Sequence, residues 1–155
     1  MTKLLTSLIS FLLFLFITSG INAQEINKTH SDTLNSIIKE YYELNIKVFQ
    51  TDSKVTDIDN IFNLFTNDFT YVHPKYGGTY IRKDLYKGYL RNQKNGMYDG
   101  TITDIKILNK ITGLNAVVVQ RIYIEKTDNE TTEGEPRMTL FEFKEGKIFR
   151  IFEYW

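Results

Sequence analysis

Apolar side chains recur every three or four positions across Leu34, Ile37, Ile38, Tyr41, Leu44, Val48 and Phe49, which predicts a helix with one apolar stripe. Asp32 stands where an N-cap would accept from the free amides of the first turn. A polar stretch, residues 51–56, interrupts the pattern before Ile58, Ile61, Phe62 and Phe65 predict a second, shorter helix. The period then drops to two. Phe69, Tyr71 and His73 alternate with Thr70 and Val72, so a strand places the imidazole on the same face as two aromatic rings. Gly77 and Gly78 mark a turn, and residues 82–93 predict a third helix with Leu85, Tyr89 and Leu90 inward.

From Thr101 onward the two-residue period persists. It predicts strands at 102–110, 116–126, 137–144 and 147–154, separated by a Thr112-Gly113 turn, a polar loop at 127–136 and a Glu145-Gly146 turn. The segment AVVVQRIYI is apolar on both faces, as expected of a central strand. Three helices with one embedded strand, followed by a meander of four long strands, make an α+β fold.

The amino terminus follows different rules. Lys3 precedes an apolar run at residues 4–17, then come Thr18-Ser19-Gly20 and Ala23. That is the layout of an export signal cleaved near Ala23, the run being shorter than the roughly 20 residues that span a bilayer. The organisation predicted is therefore a signal peptide at 1–23, a flexible tail at 24–31 and one domain at 32–155, exported to a periplasm or the exterior and free of the membrane after cleavage. The chain has no cysteine, so neither a lipid-anchoring cysteine nor a disulfide is available and the core alone must hold the product.

Charge narrows the partners. Nineteen basic and nineteen acidic side chains balance, which is not the basic footprint of a nucleic-acid-binding domain. No phosphate loop, dinucleotide fingerprint or nucleophile motif occurs, so no cofactor is expected. Of two histidines, His30 falls in the predicted tail, and no cluster has metal-ligand spacing. Ten tyrosines remain as residues that line a pocket with an apolar body and a polar tip.

The segment DIDNIFNLFTND at 57–68, the strand ending His73-Pro74, the glycine turn with its helix, and the closing FEFKEGKIFRIFEY at 141–154 together resemble the nuclear transport factor 2-like superfamily, in its SnoaL-like and ketosteroid-isomerase-like branches. The resemblance covers nearly all of residues 32–155. It implies a curved antiparallel sheet wrapped by three N-terminal helices into a cone, a cystatin-like α+β barrel with a deep apolar pocket and frequent dimerisation through the sheet. In ketosteroid-isomerase-like members the general base is an Asp before a proline, and the matching position is His73. The family's second carboxylic acid matches Thr139, and its oxyanion tyrosine matches Tyr41 or Tyr42. The base has changed type and the acid is lost, which argues against steroid isomerisation itself. Scytalone-dehydratase-like members use histidine in the same cone.

Two readings of His73 follow. Imidazole titrates near neutrality and can act as a base; equally, a histidine at a strand end can be purely structural. The last hairpin also has two registers. A two-residue loop sets Phe141 opposite Arg150, Thr139 opposite Phe152 and Arg137 opposite Tyr154; one more residue sets Arg137 beside Glu153 as an ion pair. The candidate ligand-binding residues are Tyr41, Tyr71, Tyr76, Arg137, Thr139, Phe141 and Phe152, with His73 as candidate base. The expected ligand is small and apolar or carbonyl-bearing, handled either by isomerase-, dehydratase- or cyclase-type acid–base chemistry or by a non-catalytic binding module. Apolar positions on both faces of 116–126 add the expectation of a homodimer.

Overall fold

A computed structural model describes residues 28–128 and 130–154. The signal peptide expected at 1–23, and residues 24–27 of the expected tail, lie outside the described residues. Helix α1, Lys28–Val48, buries Leu34, Ile38, Tyr41, Tyr42, Leu44, Asn45 and Val48 along one stripe. It takes in residues 28–31, so Asp32 sits inside the helix rather than capping it. Helix α2, Val55–Asn63, is closed at its start by Asp57, whose carboxylate accepts from the Lys54 amide at 2.8 Å. Phe65, expected to extend this helix, instead opens strand β1, Phe65–His73.

A short 3₁₀ turn, Pro74–Tyr76, follows, and Gly77 (φ +68°) reverses the chain into β2, Gly78–Ile81. Helix α3, Arg82–Lys94, lays Leu85, Tyr86, Tyr89 and Leu90 against the core, and Arg82 Nη2 donates to the Phe62 carbonyl at 2.9 Å. The remaining strands are β3, Ile102–Thr112; β4, Ala116–Lys126; β5, Thr131–Glu133; β6, Arg137–Lys144; and β7, Lys147–Tyr154.

The strands form one curved, unclosed sheet in the order β2-β1-β7-β6-β4-β3, with β5 paired to β4. The α+β class and the helix-wrapped cone are as expected. Three details differ: β1 runs parallel to β7, so the sheet is mixed rather than antiparallel, and β2 and β5 are additional strands. The parallel pair arises because β1 and β7 are separated by the whole meander, and a partner so distant in sequence need not reverse direction as a hairpin must.

The β6–β7 register follows the two-residue-loop form only at the turn and then departs from both expected forms. At the turn a two-residue loop pairs Phe143 with Ile148. A bulge then inserts Phe149, so Glu142 faces Arg150, Phe141 faces Ile151 and Thr139 faces Glu153. Ile148, Ile151 and Glu153 are the buried residues of β7. The core they join holds Leu34, Ile38, Ile58, Ile61, Phe62, Phe69, Val117, Val119 and Phe141, each at most 2% exposed.

Candidate functional site

Between α1, α3 and the inner face of the sheet lies a cavity of about 150 Å³. Five tyrosines wall it: Tyr41 and Tyr42 from α1, Tyr71 from β1, Tyr89 from α3 and Tyr123 from β4, with Asn45, Phe49 and Ile105 between them. Arg121 and Glu153 complete the wall. The strand period explains the placement. Val117, Val119, Arg121 and Tyr123 alternate along β4, so the apolar floor of one half gives way to a guanidinium and a phenol in the other. The expected apolar hollow is thus edged by polar atoms.

Arg121 and Glu153 are 3% and 4% exposed, and Arg121 Nη2 lies 3.4 Å from Glu153 Oε1. Thr139, itself fully buried, donates from Oγ1 to Glu153 Oε2 at 2.9 Å. The buried carboxylate beside Thr139 comes from its cross-strand partner, Glu153. Arg121 also stacks on aromatic faces, its guanidinium carbon 4.5 Å from the Tyr123 centroid and 5.6 Å from that of Tyr42. Its Nε and Nη1 meet no hydrogen-bond acceptor among the described residues, and neither does the Tyr42 hydroxyl.

Burial pushes the phenols of Tyr41, Tyr42, Tyr71, Tyr89 and Tyr123 above the ordinary tyrosine range, against a downward pull from Arg121 on Tyr42, Tyr71 and Tyr123. All five are protonated at neutral pH. Burial also works against the Arg121 charge, and the Glu153 carboxylate beside it helps to hold the guanidinium protonated. Tyr89 spends its proton on Asn45 Oδ1 at 3.2 Å, and Asn45 Nδ2 donates to the Tyr41 carbonyl at 2.7 Å.

The residues expected from sequence distribute as follows. Tyr41 and Tyr71 line the cavity, and so does Tyr42, left as the alternative to Tyr41. Thr139 stands behind Glu153. Phe141 is fully buried core, its ring edge-on to Tyr41 and Tyr42 at 5.4 and 5.8 Å. Phe152, turned by the bulge, stacks on Tyr154 at 4.5 Å and is not part of the cavity wall. Tyr76 is 62% exposed, outside that wall. Arg137 sits over the Tyr123 ring at 5.1 Å, opposite Arg121 across the β4–β6 ladder; the ion-pair partner of Glu153 is Arg121, not Arg137.

His73 is buried at 3% exposure, between Tyr71 and Tyr76 with ring centroids at 6.1 and 4.4 Å. Its ring does not belong to the cavity wall. Burial lowers its pKa below the usual histidine value; Glu153 pulls the other way, and Lys75 and Arg137 add to the lowering. Arg121 and Tyr123 were not singled out from the sequence, and Tyr89 and Glu153 were read as an inward helix position and an ion-pair partner rather than as cavity residues. An arginine at an inward position of an otherwise apolar strand was the readable signal for the first.

On its outer side the cavity shares Tyr42 and Ile105 with a groove between α1 and β3, whose rim carries Lys39, Glu43, Lys47 and Asp104.

No protein-family model matches the chain. Among curated proteins it is 31% identical over 126 residues to a probable ATP-dependent helicase of Plasmodium falciparum, a match that spans 81% of this chain but 5% of that protein. Solved structures share its architecture. An NTF2-like protein of unknown function from Burkholderia xenovorans superposes with a TM-score of 0.55 at 14% identity, covering 81% of this chain and 84% of that one. A protein with a ketosteroid isomerase-like fold from Catenulispora acidiphila, in complex with trimethylamine, gives 0.52 at 17% identity over 77% and 84% of the two chains. A candidate polyketide cyclase from Sinorhizobium meliloti gives 0.52 at 12% identity over 79% and 98%.

Proposed function

The chain has the fold of the nuclear transport factor 2-like superfamily, and from that premise we propose that it binds a small oxygen-bearing molecule inside the tyrosine cavity. The observation that carries this reading is the buried Arg121, two of whose nitrogens face no acceptor among the described residues while lining a void. Burying a charged donor without a partner is costly, and the cost is recovered when a ligand oxygen arrives. A void of roughly 150 Å³ is the size that holds a benzene-sized molecule, so the ligand has about six heavy atoms. The test is a screen of small carbonyl and carboxyl compounds by ¹⁵N-resolved NMR. Shifts gathered at the Arg121 side chain and around Tyr41 and Tyr123 are expected; millimolar compounds that move none of these would end the reading.

A second reading adds chemistry: removal of a proton next to a carbonyl, in an isomerase, dehydratase or cyclase type of reaction. It is favoured by His73, a buried imidazole two residues along β1 from Tyr71 whose pKa is lowered by burial, and by the fold shared with ketosteroid isomerase-like and cyclase-like proteins. Glu153 is the carboxylate on the cavity wall and the competing base. Exchange of ligand α-protons for deuterium separates the candidates, through loss in His73→Ala, in Glu153→Gln or in neither. Loss in neither removes both candidates, and no exchange in the unaltered protein leaves a binding module with a structural His73.

Export with cleavage near Ala23 belongs to the same proposal, checked by amino-terminal sequencing of secreted protein. So does a homodimer through the outer sheet face, where Met138 and Tyr154 are 42% and 46% exposed; a monomer by light scattering at high concentration would remove it.

A further inference from the structure

We infer that the exposed face of α3 adsorbs to an anionic membrane surface, an assignment independent of the ligand-binding reading above. The even balance of charge over the whole chain conceals a local excess. Helix α3 carries Arg82, Lys83, Lys87, Arg91 and Lys94 against the single carboxylate of Asp84. Arg82 turns inward to Phe62, whereas Lys83, Lys87, Arg91 and Lys94 are exposed. Spaced three or four residues apart, they form a strip of positive charge about 17 Å long. It lies opposite the face that packs Leu85, Tyr86 and Tyr89 on the core.

Helix α1 shows what an ordinary solvated face looks like in this fold. Its basic residues Lys28, Lys39 and Lys47 are matched by Asp32, Glu40 and Glu43, and Lys39 pairs with Glu43 at 2.9 Å. On α3 the i,i+4 neighbours Lys83, Lys87 and Arg91 repel one another. No ion pair to a described residue relieves any member of the strip. The helix dipole accounts for Arg91 and Lys94 near the last turn but opposes Lys83 in the first. The strip thus weakens the free helix, and an anionic surface removes the repulsion.

Apolar side chains choose between a membrane and a soluble polyanion. Tyr80 and Ile81 precede the strip at 37% and 54% exposure, and Met97 follows it at 67%. A soluble polyanion gains little from Ile81 and Met97. At a bilayer such side chains enter the headgroup boundary while lysine and arginine meet the lipid phosphates. This is adsorption and not spanning: no helix among the described residues is long and apolar enough to cross a membrane. It departs from the expectation that the processed chain leaves the membrane entirely.

The experiment is co-sedimentation with vesicles of phosphatidylcholine, alone or mixed with phosphatidylglycerol, at low salt. The purified protein keeps the amino terminus it carries after expression, and every comparison is between chains that share it. Each lysine or arginine close to an anionic surface strengthens binding about fivefold, so the mixed vesicles should bind at least about a hundredfold tighter. In the variant combining Lys83→Gln, Lys87→Gln, Arg91→Gln and Lys94→Gln that preference should fall below about fivefold. Glutamine is a good helix former and all four positions are exposed; should the variant still fail to fold, Lys87→Gln alone should weaken the mixed vesicles about fivefold. Ile81→Ser with Met97→Ser should weaken vesicle binding severalfold and leave binding of a heparin fragment unchanged. No preference for phosphatidylglycerol, or a preference that survives loss of the strip, overturns the inference. Heparin bound as tightly as the mixed vesicles, with Ile81→Ser and Met97→Ser without effect on either, overturns it in favour of a soluble polyanion.

Discussion

The interior has two halves built from rings of the same size, and they behave differently. In one, Phe62, Phe65, Phe69 and Phe141 pack without interruption: Phe62 is edge-on to Phe65 at 5.2 Å, and Phe65 stacks on Phe69 at 3.9 Å. In the other, Tyr41, Tyr42, Tyr71, Tyr89 and Tyr123 leave a void between them. Tyr41 and Tyr42 belong to both, each laying its ring on Phe141 while lining the cavity. The difference lies at the ring tips. A phenylalanine edge gains by being covered with carbon, whereas a hydroxyl needs a polar neighbour or loses several hydrogen bonds' worth of solvation. Five hydroxyls converging with Arg121 and Glu153 cannot close on one another as hydrocarbon does. The cavity is what that chemistry leaves open.

The harshest way to break the contrast is to remove one charge from the tyrosine half. Arg121→Met should cost about 3–5 kcal/mol in urea unfolding, because Glu153 is left buried without its counter-ion. The double change Arg121→Met with Glu153→Leu should recover most of that loss, since apolar groups of similar volume often replace a buried pair without penalty. Failure to recover would mean that the pair organises the surrounding strands. In the other half, Phe141→Ala should cost about 3–5 kcal/mol by opening a void beneath Tyr41 and Tyr42. A loss under about 1 kcal/mol would show that the rings above collapse to fill it.

Alkaline titration sharpens the contrast without mutation. The cavity phenols have folded pKa values above the unfolded value near 10, so the unfolded chain ionises first as pH rises. Stability should be undiminished below about pH 10 and fall above it, with most phenolate absorbance appearing together with unfolding. Tyr98, pushed up to about 12 by burial, should join this late group. A smooth titration of all tyrosines near pH 10 in the folded protein would contradict the enclosure of the cavity.

His73 provides the acid-side counterpart. Its folded pKa lies below the unfolded value near 6.5, so the unfolded state takes up the proton first as pH falls. Its contribution is fully present above about pH 6.5 and is lost on acidification toward the lowered folded value. His73→Gln should flatten the stability slope in that window, and an unchanged slope would assign the acid sensitivity elsewhere. The smallest effect is expected from Tyr42→Phe, whose lost hydroxyl has no described partner: within about 0.5 kcal/mol in the free protein.

Much of this could be read from the chain. The stripe from Leu34 to Val48, the alternation of Phe69, Tyr71 and His73 and the four-strand meander each follow a single local period, and each gave an element where the structure has one. What was not readable depends on partners chosen in three dimensions. Nothing in the spacing of Tyr71 says that its neighbour is Ile151 in the parallel direction. Arg121 was hidden by its surroundings, because AVVVQRIYI averages to an apolar strand even though one inward position carries a charge. Tyr76 and Tyr71 look alike at the level of spacing around His73, yet the turn at Pro74–Tyr76 turns one outward while the strand holds the other in.

The extra residue at Phe149 has a consequence for how this interior could change over time. With an uninterrupted ladder, Arg150, Phe152 and Tyr154 would occupy the inward places now held by Ile151 and Glu153, as the two-residue loop alone would dictate. Inserting one amino acid between Ile151 and Phe152 would therefore exchange a carboxylate for an aromatic ring and convert a chamber with a charged wall into one that recognises its occupant by shape. A single-codon indel in the last hairpin is a short mutational path between two kinds of selectivity.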